Sequence, residues 1–222
     1  MSMLGSLENV LPADIERRSM EIIESEWGDA SHLTPLQRQI VKRVIHTTAD
    51  FDYLGILKFS PTAVDDALYA LRHNAVIVTD TQMALSGVSK PALKALGCEA
   101  VCFMSDQAVA ASARENGTTR AAAAVDYAAQ RYADGNVIFA VGNAPTALVR
   151  LYELISEGRL RPSLVVGTPV GFVNVVQSKR LIMSSGVPYI VSEGRKGGST
   201  VAVAICNSLL YQLYDRATGN LL

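Results

Sequence analysis

The hydrophobic positions of the chain follow two patterns, and the change between them falls near residue 75. Beyond this point, short apolar runs recur without alternation, and each is followed by a stretch with helical periodicity. The runs lie at residues 75–78, 100–103, 137–141, 164–166 and 189–191. Such runs, alternating with helices, are typical of parallel strands that are covered on both faces. The pattern therefore predicts an α/β fold, a three-layer α/β/α domain with a mainly parallel sheet.

Before residue 75 the apolar residues recur every three or four positions, as they do on one face of a helix. This spacing predicts helices at residues 13–26, 35–48 and 61–72. The second helix has the clearest start, because Thr34 is a good N-cap and Pro35 suits the first helical position. We therefore expect a helical N-terminal region to precede the sheet within a single domain of residues 1–222, with residues 1–10 poorly ordered.

The turns that follow the predicted strands are rich in glycine, hydroxyl and helix-capping residues. They lie at residues 79–81, 105–106, 142–146, 167–171 and 194–200. In open parallel sheets, ligands bind beyond the carboxyl ends of the strands, and helix N-termini there attract anions. Any one of these turns is more typical of an ordinary cap or turn, but the five together, one of them cationic, indicate a site for a molecule with several carboxylates or phosphates.

These turns do not match the common nucleotide-binding motifs. In the phosphate-loop motif a lysine follows the second glycine, whereas Lys196 precedes the pair Gly197 and Gly198. No G-x-G-x-x-G motif follows the first predicted strand either. A nucleotide-binding dehydrogenase is therefore a weak alternative.

The polar face of the predicted helix 35–48 carries a histidine near two cations. Lys42 and Arg43 precede His46 by four and three residues, so the three side chains share one face. This arrangement indicates either a proton-transfer group beside an anion-binding pair or a plain solvated face. The position of His46 at the helix end, just before the turn-forming segment 47–52, favours the first interpretation. By contrast, we interpret His32 and His73 as surface residues.

Charge and composition exclude several classes of partner. The chain has 20 Lys and Arg against 21 Asp and Glu, a net charge of -1, so we expect no nucleic acid and no anionic membrane surface as partners. We also expect no signal peptide and no spanning helix, and hence a cytoplasmic protein. The three cysteines lack the spacing of a metal site, and we interpret Cys98, Cys102 and Cys206 as reduced core residues.

Several long segments resemble one family. Residues 42–52, KRVIHTTADFD, resemble the signature of the precorrin-8X methylmutase family of corrin biosynthesis. Further segments are similar to the family in the same order: 79–87 (TDTQMALSG), 142–148 (GNAPTAL), 167–173 (GTPVGFV) with Ser178 and Lys179 after it, and 194–199 (GRKGGS). The similarity extends over residues 15–213.

The resemblance implies an isomerase, a methylmutase that moves a methyl group from C11 to C12 of a corrinoid macrocycle. It implies no redox cofactor, methyl donor or protein-bound metal, because any cobalt belongs to the substrate. It also implies a homodimer with a site at or near the subunit interface. A ring fringed with carboxylates suits a cleft with helix N-termini and a few arginines, so the turns agree with this substrate.

The resemblance also implies roles for five residues. His46 matches the catalytic histidine of the family, while Ser19 and Arg43 match its substrate-contacting serine and arginine. Arg120 and Arg195 match further substrate-binding positions. We expect His46 to protonate the macrocycle, or donate a hydrogen bond to it, near the migrating methyl group and then to recover the proton.

The sequence is compatible with alternatives in two respects. The first is the substrate: segments 42–52 and 79–87 resemble the cobalt branch, in which cobalt-precorrin-8 gives cobyrinate, more than the branch in which metal-free precorrin-8X gives hydrogenobyrinate. The second is turnover, because a tetrapyrrole-binding carrier could use the same turns and the same Arg43. Only His46 argues against a carrier.

Overall fold

A six-stranded sheet forms the centre of the computed structural model, which describes residues 7–133 and 136–222. The strands lie in the order β1-β6-β5-β4-β2-β3, and every neighbouring pair is parallel except β1 and β6. Their bounds are β1 Leu57–Phe59, β2 Val76–Thr79, β3 Glu99–Val101, β4 Val137–Val141, β5 Leu164–Gly167 and β6 Tyr189–Ser192.

Helices connect the strands and cover both faces of the sheet. They are α1 Ile15–Glu26, α2 Pro35–Thr48, α3 Tyr53–Ile56, α4 Ala63–Arg72, α5 Gln82–Gly87, α6 Lys90–Leu96, α7 Gln107–Glu115, α8 Arg120–Tyr132, α9 Pro145–Ser156, α10 Val175–Met183 and α11 Ser199–Tyr211. Short 3-10 helices lie at Pro12–Asp14 and Phe103–Ser105. Throughout the described ranges, no helix combines the length and apolar character needed to cross a membrane.

The central strand β4 shows how the two faces are divided. Ile138 and Ala140 belong to a core that includes α2, α4, α6 and α11, whereas Phe139 and Val141 belong to a second core with α8, α9 and α10. All five residues of β4 are buried. Side chains of a strand point alternately to opposite faces, so a continuous apolar run requires a cover on each side. The predicted three-layer α/β/α class is confirmed.

Helices α2 and α11 pack against each other on one face of the sheet. Thr34 accepts a hydrogen bond from the Gln37 backbone, and the Gln37 side chain accepts one from the Thr34 backbone, which closes a capping box at the start of α2. Ile40, Val41, Val44 and Ile45 of α2 are buried, as is most of the circumference of α11. A helix that is apolar almost all round lies in the core.

The prediction of an entirely helical N-terminal region is wrong in one segment. Residues 57–59 form β1, which pairs antiparallel with β6 at the edge of the sheet, with Leu57 opposite Ser192. Three residues are too few to show a period of two, so this strand leaves no pattern in the sequence. The strand predicted at 100–103 ends at Val101. Of the segment 1–10, residues 1–6 lie outside the described residues.

Candidate active site

An open cavity of about 330 Å³ lies between α2, α5 and α11, and His46 is part of its wall. Arg43 and Thr47 accompany His46 on α2, and Ser199 and Thr200 contribute hydroxyl groups from the first turn of α11. The rest of the lining comes from Met83, Gly87, Val203, Ala204, Asn207, Tyr211 and Arg216. The structure therefore brings the predicted pair Arg43 and His46 together with one of the predicted helix N-termini.

His46 also lines a second cavity, of about 310 Å³. Ser19 and Glu26 of α1 line this cavity together with Ala49 and Phe51. The Ser19 hydroxyl donates a hydrogen bond to the Ile15 carbonyl oxygen at 2.8 Å, so its oxygen can still accept one. His46 itself is exposed. An accessible imidazole thus adjoins one cavity that contains Arg43 and Arg216 and another that contains Ser19.

The helix that carries His46 ends in an unusual backbone conformation. Ala49 terminates α2 with φ 52° and ψ 30°, in the left-handed region, and its N–H donates to the Ile45 carbonyl oxygen at 2.7 Å. Glycine is the usual residue at such a position, because a Cβ atom costs energy there. The turn directs the chain away from the helix axis and into the segment that begins at Asp50.

That segment is tied to the loop between β6 and α11. The Lys196 ammonium lies 2.5 Å from Asp50 and 2.6 Å from Asp52, both at Oδ2. The hydrogen bond from Lys196 is the largest of the influences that lower the pKa of Asp50, and the two carboxylates in turn raise the pKa of Lys196. Both partners are therefore charged near neutral pH, and they join the end of the His46 helix to a second ligand-facing turn.

The same loop is also bound by Lys179 of α10, whose side chain is almost fully buried. Its Nζ donates to the carbonyl oxygens of Gly194 and Lys196 at 2.9 and 2.8 Å. Burial lowers the pKa of Lys179 to about 8. A neutral amine still has two N–H donors, so both bonds survive loss of the charge. Lys179 thus binds the backbone of the loop, and Lys196 ties the loop to Asp50 and Asp52.

A buried carboxylate anchors a third turn, the one between β4 and α9. Asp80 accepts hydrogen bonds from the backbone N–H groups of Gly142, Asn143 and Ala144 at 2.7 to 2.9 Å. Burial raises the pKa of Asp80, and these three bonds oppose the rise. Next to it, the hydroxyls of Thr81 and Ser199 lie 2.9 Å apart. The residues after three different strands are therefore linked into one polar surface at the carboxyl end of the sheet.

Gly142 allows this surface to be compact. A Cβ atom at Gly142 would lie 2.6 Å from the Ser199 Cα atom, which is closer than real Cβ contacts. The absence of a side chain therefore lets the turn after β4 touch the first turn of α11.

Some of the sequence-based expectations for the site need correction. Lys42 does not line the cavity with Arg43 and His46 but forms an ion pair with Glu24 of α1, and its ammonium lies 5.8 Å from the centroid of the Trp27 ring. The reason is that α1 packs beside α2 and supplies an acidic partner on that side. Conversely, Arg216 lines the cavity, although nothing in its local sequence indicates this.

Arg120 and Arg195 lie outside both cavities that His46 lines. Arg120 is exposed at the start of α8 and donates to the Met104 carbonyl oxygen at 3.4 Å. Arg195 is exposed on the β6–α11 loop, with its guanidinium carbon 5.4 Å from the centroid of the Phe172 ring. Within one chain, the predicted substrate-binding set is thus divided: Arg43 and Ser19 each share a cavity with His46, and the other two arginines do not.

The cysteines do not belong to this site. Cys206 is buried in α11, where burial raises its pKa to about 12, and Cys98 is half-buried with a raised pKa for the same reason. All three thiols are unpaired, and Cys102 is half-buried as well. In the part of the chain that the structure describes, no group of three or more His, Cys, Asp or Glu side chains is arranged to hold a metal ion.

Comparisons with known proteins agree on one family. The family model of precorrin-8X methylmutase matches residues 14–212. Cobalt-precorrin-8 methylmutase of Salmonella typhimurium is 47% identical over 208 residues, which cover 92% of this chain and 97% of that protein. Precorrin-8X methylmutase of Pseudomonas aeruginosa is 38% identical, over 88% and 93% of the two chains.

A solved structure is similar as well. Precorrin-8X methylmutase from Thermus thermophilus superimposes with a TM-score of 0.83 at 43% identity, covering 89% of this chain and 94% of that one. These relatives are named as methylmutases, which favours turnover over a carrier without activity and over a nucleotide-binding dehydrogenase.

Proposed function

The chain belongs to the precorrin-8X methylmutase family and is an isomerase of corrin biosynthesis, and from this premise we propose that it moves a methyl group from C11 to C12 of cobalt-precorrin-8 to give cobyrinate. The alternative is the same reaction on metal-free precorrin-8X. The relative from Salmonella typhimurium, named for the cobalt substrate, is 47% identical, against 43% for the solved Thermus thermophilus structure and 38% for two further relatives named for precorrin-8X. The higher identity of the Salmonella protein supports the choice of the cobalt substrate.

The observation that carries the proposed mechanism is that His46 lines two cavities, one together with Arg43 and the other together with Ser19. A corrinoid precursor has an apolar ring and a rim of carboxylates. We propose that the ring lies across His46, with its apolar part in the cavity of Ser19 and a charged edge in the cavity of Arg43. The imidazole then contacts the macrocycle near the migrating methyl group.

In the proposed reaction, His46 donates a proton or a hydrogen bond to the macrocycle, which draws electron density away from the migration site. The bond from C11 to the methyl carbon breaks as the bond to C12 forms, and the imidazole recovers its proton. No electron is gained or lost, so we propose that the reaction uses no cofactor and that the cobalt belongs to the substrate. Ser19 and Arg43 bind the substrate.

We further propose that the protein acts as a homodimer. Each cavity is at the lower end of the size of small-molecule sites, about 300 to 1,000 Å³, so a macrocycle bound there would extend beyond them. Phe172 and Val173 are 80% and 79% exposed, and Met83 at the cavity is 67% exposed. A second copy would cover such apolar side chains, and substrate contacts by Arg120 and Arg195 would then lie at the interface. The unpaired thiols support a reducing, cytoplasmic location.

The function is tested by incubating catalytic amounts of the purified protein with cobalt-precorrin-8 and, separately, with metal-free precorrin-8X. Corrin absorbance should appear with many turnovers and faster with the cobalt form. Faster turnover of precorrin-8X would overturn the choice of substrate. A stoichiometric complex without a corrin product would instead indicate a carrier.

The role of His46 is tested with His46→Ala in the same assay. We expect a loss of rate of about 10² to 10⁴, typical of removing a general acid, while affinity for cobyrinate stays within a few-fold of wild type. His32→Ala and His73→Ala are matched controls, because both side chains are exposed and line neither cavity beside His46. Normal turnover by His46→Ala would remove this residue from the mechanism.

A further inference from the structure

Glu16 of α1 bridges two arginines that come from distant parts of the sequence. Its Oε1 lies 2.9 Å from Nη1 of Arg43, and Nη1 of Arg216 donates to its Oε1 and Oε2 at 2.7 and 2.8 Å. Burial opposes ionisation of Glu16, but the hydrogen bonds and charges of the two arginines outweigh it, and the pKa of this carboxyl is lowered. Glu16 is therefore an anion near neutral pH, and the arginines are held side by side.

Tyr211 of α11 lies against both guanidinium groups. Their central carbons are 5.3 Å (Arg43) and 4.8 Å (Arg216) from the centroid of its ring. Guanidinium groups at this distance are attracted by an aromatic face. The two guanidinium groups repel each other, and the attraction of both to the Glu16 carboxylate and to the Tyr211 ring offsets this repulsion and keeps them together.

Both arginines keep donors available for a further anion. Each contacts Glu16 through one terminal nitrogen, and a guanidinium carries five N–H donors in a planar fork. Arg43, Arg216 and Tyr211 all line the cavity that contains His46. Two cations against one anion leave this corner of the cavity with a local charge of +1, so a further carboxylate would be attracted there.

We propose that Arg216 is a second substrate-binding arginine, which acts with Arg43 to bind one peripheral carboxylate of the corrinoid. This inference rests on the proposed function. Arg216 follows α11 and stands apart from the segments that resemble the family motifs, whereas Arg43 lies three residues before His46. The joint contact would fix the edge of the macrocycle relative to the imidazole. It predicts that the two arginines contribute to the same interaction.

The test measures binding of cobyrinate and of cobinamide, in which the peripheral carboxyls are amides, to wild type, Arg216→Gln and Arg216→Lys. Loss of a charged hydrogen bond of about 1.5 to 3 kcal/mol corresponds to about 10- to 150-fold weaker binding of cobyrinate by Arg216→Gln. Arg216→Lys keeps the positive charge but loses the planar fork of donors, so its affinity for cobyrinate should lie between those of the wild type and Arg216→Gln. Binding of cobinamide should change less than about twofold in both. Arg159→Gln is the control, an exposed arginine paired only with Glu157 among the described residues.

The double variant Arg43→Gln with Arg216→Gln tests whether the two side chains share one carboxylate. If they do, its loss of affinity will be clearly smaller than the product of the two single losses. Equal weakening of cobyrinate and cobinamide would overturn the proposal, because it would indicate a structural role. The proposal would also be overturned if Arg216→Gln bound cobyrinate as tightly as the wild type, in a preparation whose wild type binds and converts its substrate. If the wild type neither binds cobyrinate nor converts either precorrin-8 form, the proposed function itself fails.

Discussion

Lys196 and Asp50 form an ion pair of 2.5 Å that joins the β6–α11 loop to the segment directly after the His46 helix. Asp52 is a second carboxylate on the same ammonium group. These residues are far apart in the sequence, and their contact couples the position of α2 to that of the loop that carries Arg195.

Lys196→Gln should therefore lower kcat while changing the melting temperature little. The ion pair is exposed, and exposed pairs contribute little to stability, but displacing a catalytic helix end by about 1 Å can cost up to about a hundredfold in rate. We expect a decrease of about 10- to 100-fold, measured by steady-state kinetics and thermal unfolding. Lys94→Gln, on the exposed surface of α6, is the control. An unchanged kcat would show that the pair does not position α2.

Because Lys179 is buried, the free energy of unfolding should rise with pH in the alkaline range. Its pKa is about 8 in the folded protein and 10.5 in an ordinary lysine, so between these values the unfolded chain binds the proton more strongly. The free energy of unfolding should therefore increase from pH 8 to 10.5, by up to about 3 kcal/mol from this group. The measurement is urea unfolding across this range.

The matched variant is Lys179→Met, which fills a similar volume without a titrating group. The rise should be absent from it, so the difference between wild type and variant isolates this residue from the other groups that titrate there. Parallel pH curves for the two proteins would contradict the prediction.

Asp80→Asn should destabilise the protein by about 3 kcal/mol. The carboxylate accepts three backbone hydrogen bonds on two oxygens, and an amide nitrogen in place of one oxygen would face an N–H donor. Asp106→Asn is the comparison, because Asp106 is the N-cap of α7 and asparagine caps equally well. The measurement is the free energy of unfolding of both variants in urea. Similar losses would contradict the prediction, because they would show that the turn does not require two acceptor oxygens at residue 80.

Ala49→Gly should stabilise the protein by about 1 kcal/mol. Its left-handed conformation penalises a Cβ atom, and glycine removes the penalty. The same substitution at Ala111, exposed in the middle of α7, should instead cost about 1 kcal/mol, because glycine is a poor helix former. Opposite signs of the two changes in unfolding free energy are the expected result. A loss at both positions would show that the methyl group of Ala49 is needed where it lines the second cavity.

The sequence predicts those elements whose signals are local. Helix α2 has the predicted bounds because Thr34 and Pro35 start it, and β4 has them because its apolar run is continuous. Strand β1 escapes prediction because it is short and its partner, β6, is distant in the sequence. The predicted bounds of the other strands differ from the structure by a residue or two.

The candidate site divides in the same way. Arg43 and His46 lie on one helix face, so their spacing predicts that they are neighbours, and their shared cavity agrees with this. Lys42 has the same spacing but is drawn to Glu24, and no helix pattern reveals an acidic partner on another helix. Arg216 reaches the cavity only through the tertiary fold, by way of Glu16 and Tyr211.

The pairing of β1 with β6 has a consequence for how the molecule is made. Leu57 leaves the ribosome long before its partner Ser192, and α2 leaves it long before α11, against which α2 packs. Contacts between distant residues form slowly, and domains are synthesised from the N-terminus. The cavity lined by His46 is therefore complete only after β6 and α11 have left the ribosome. A nascent chain thus gains its active site at the end of synthesis rather than progressively.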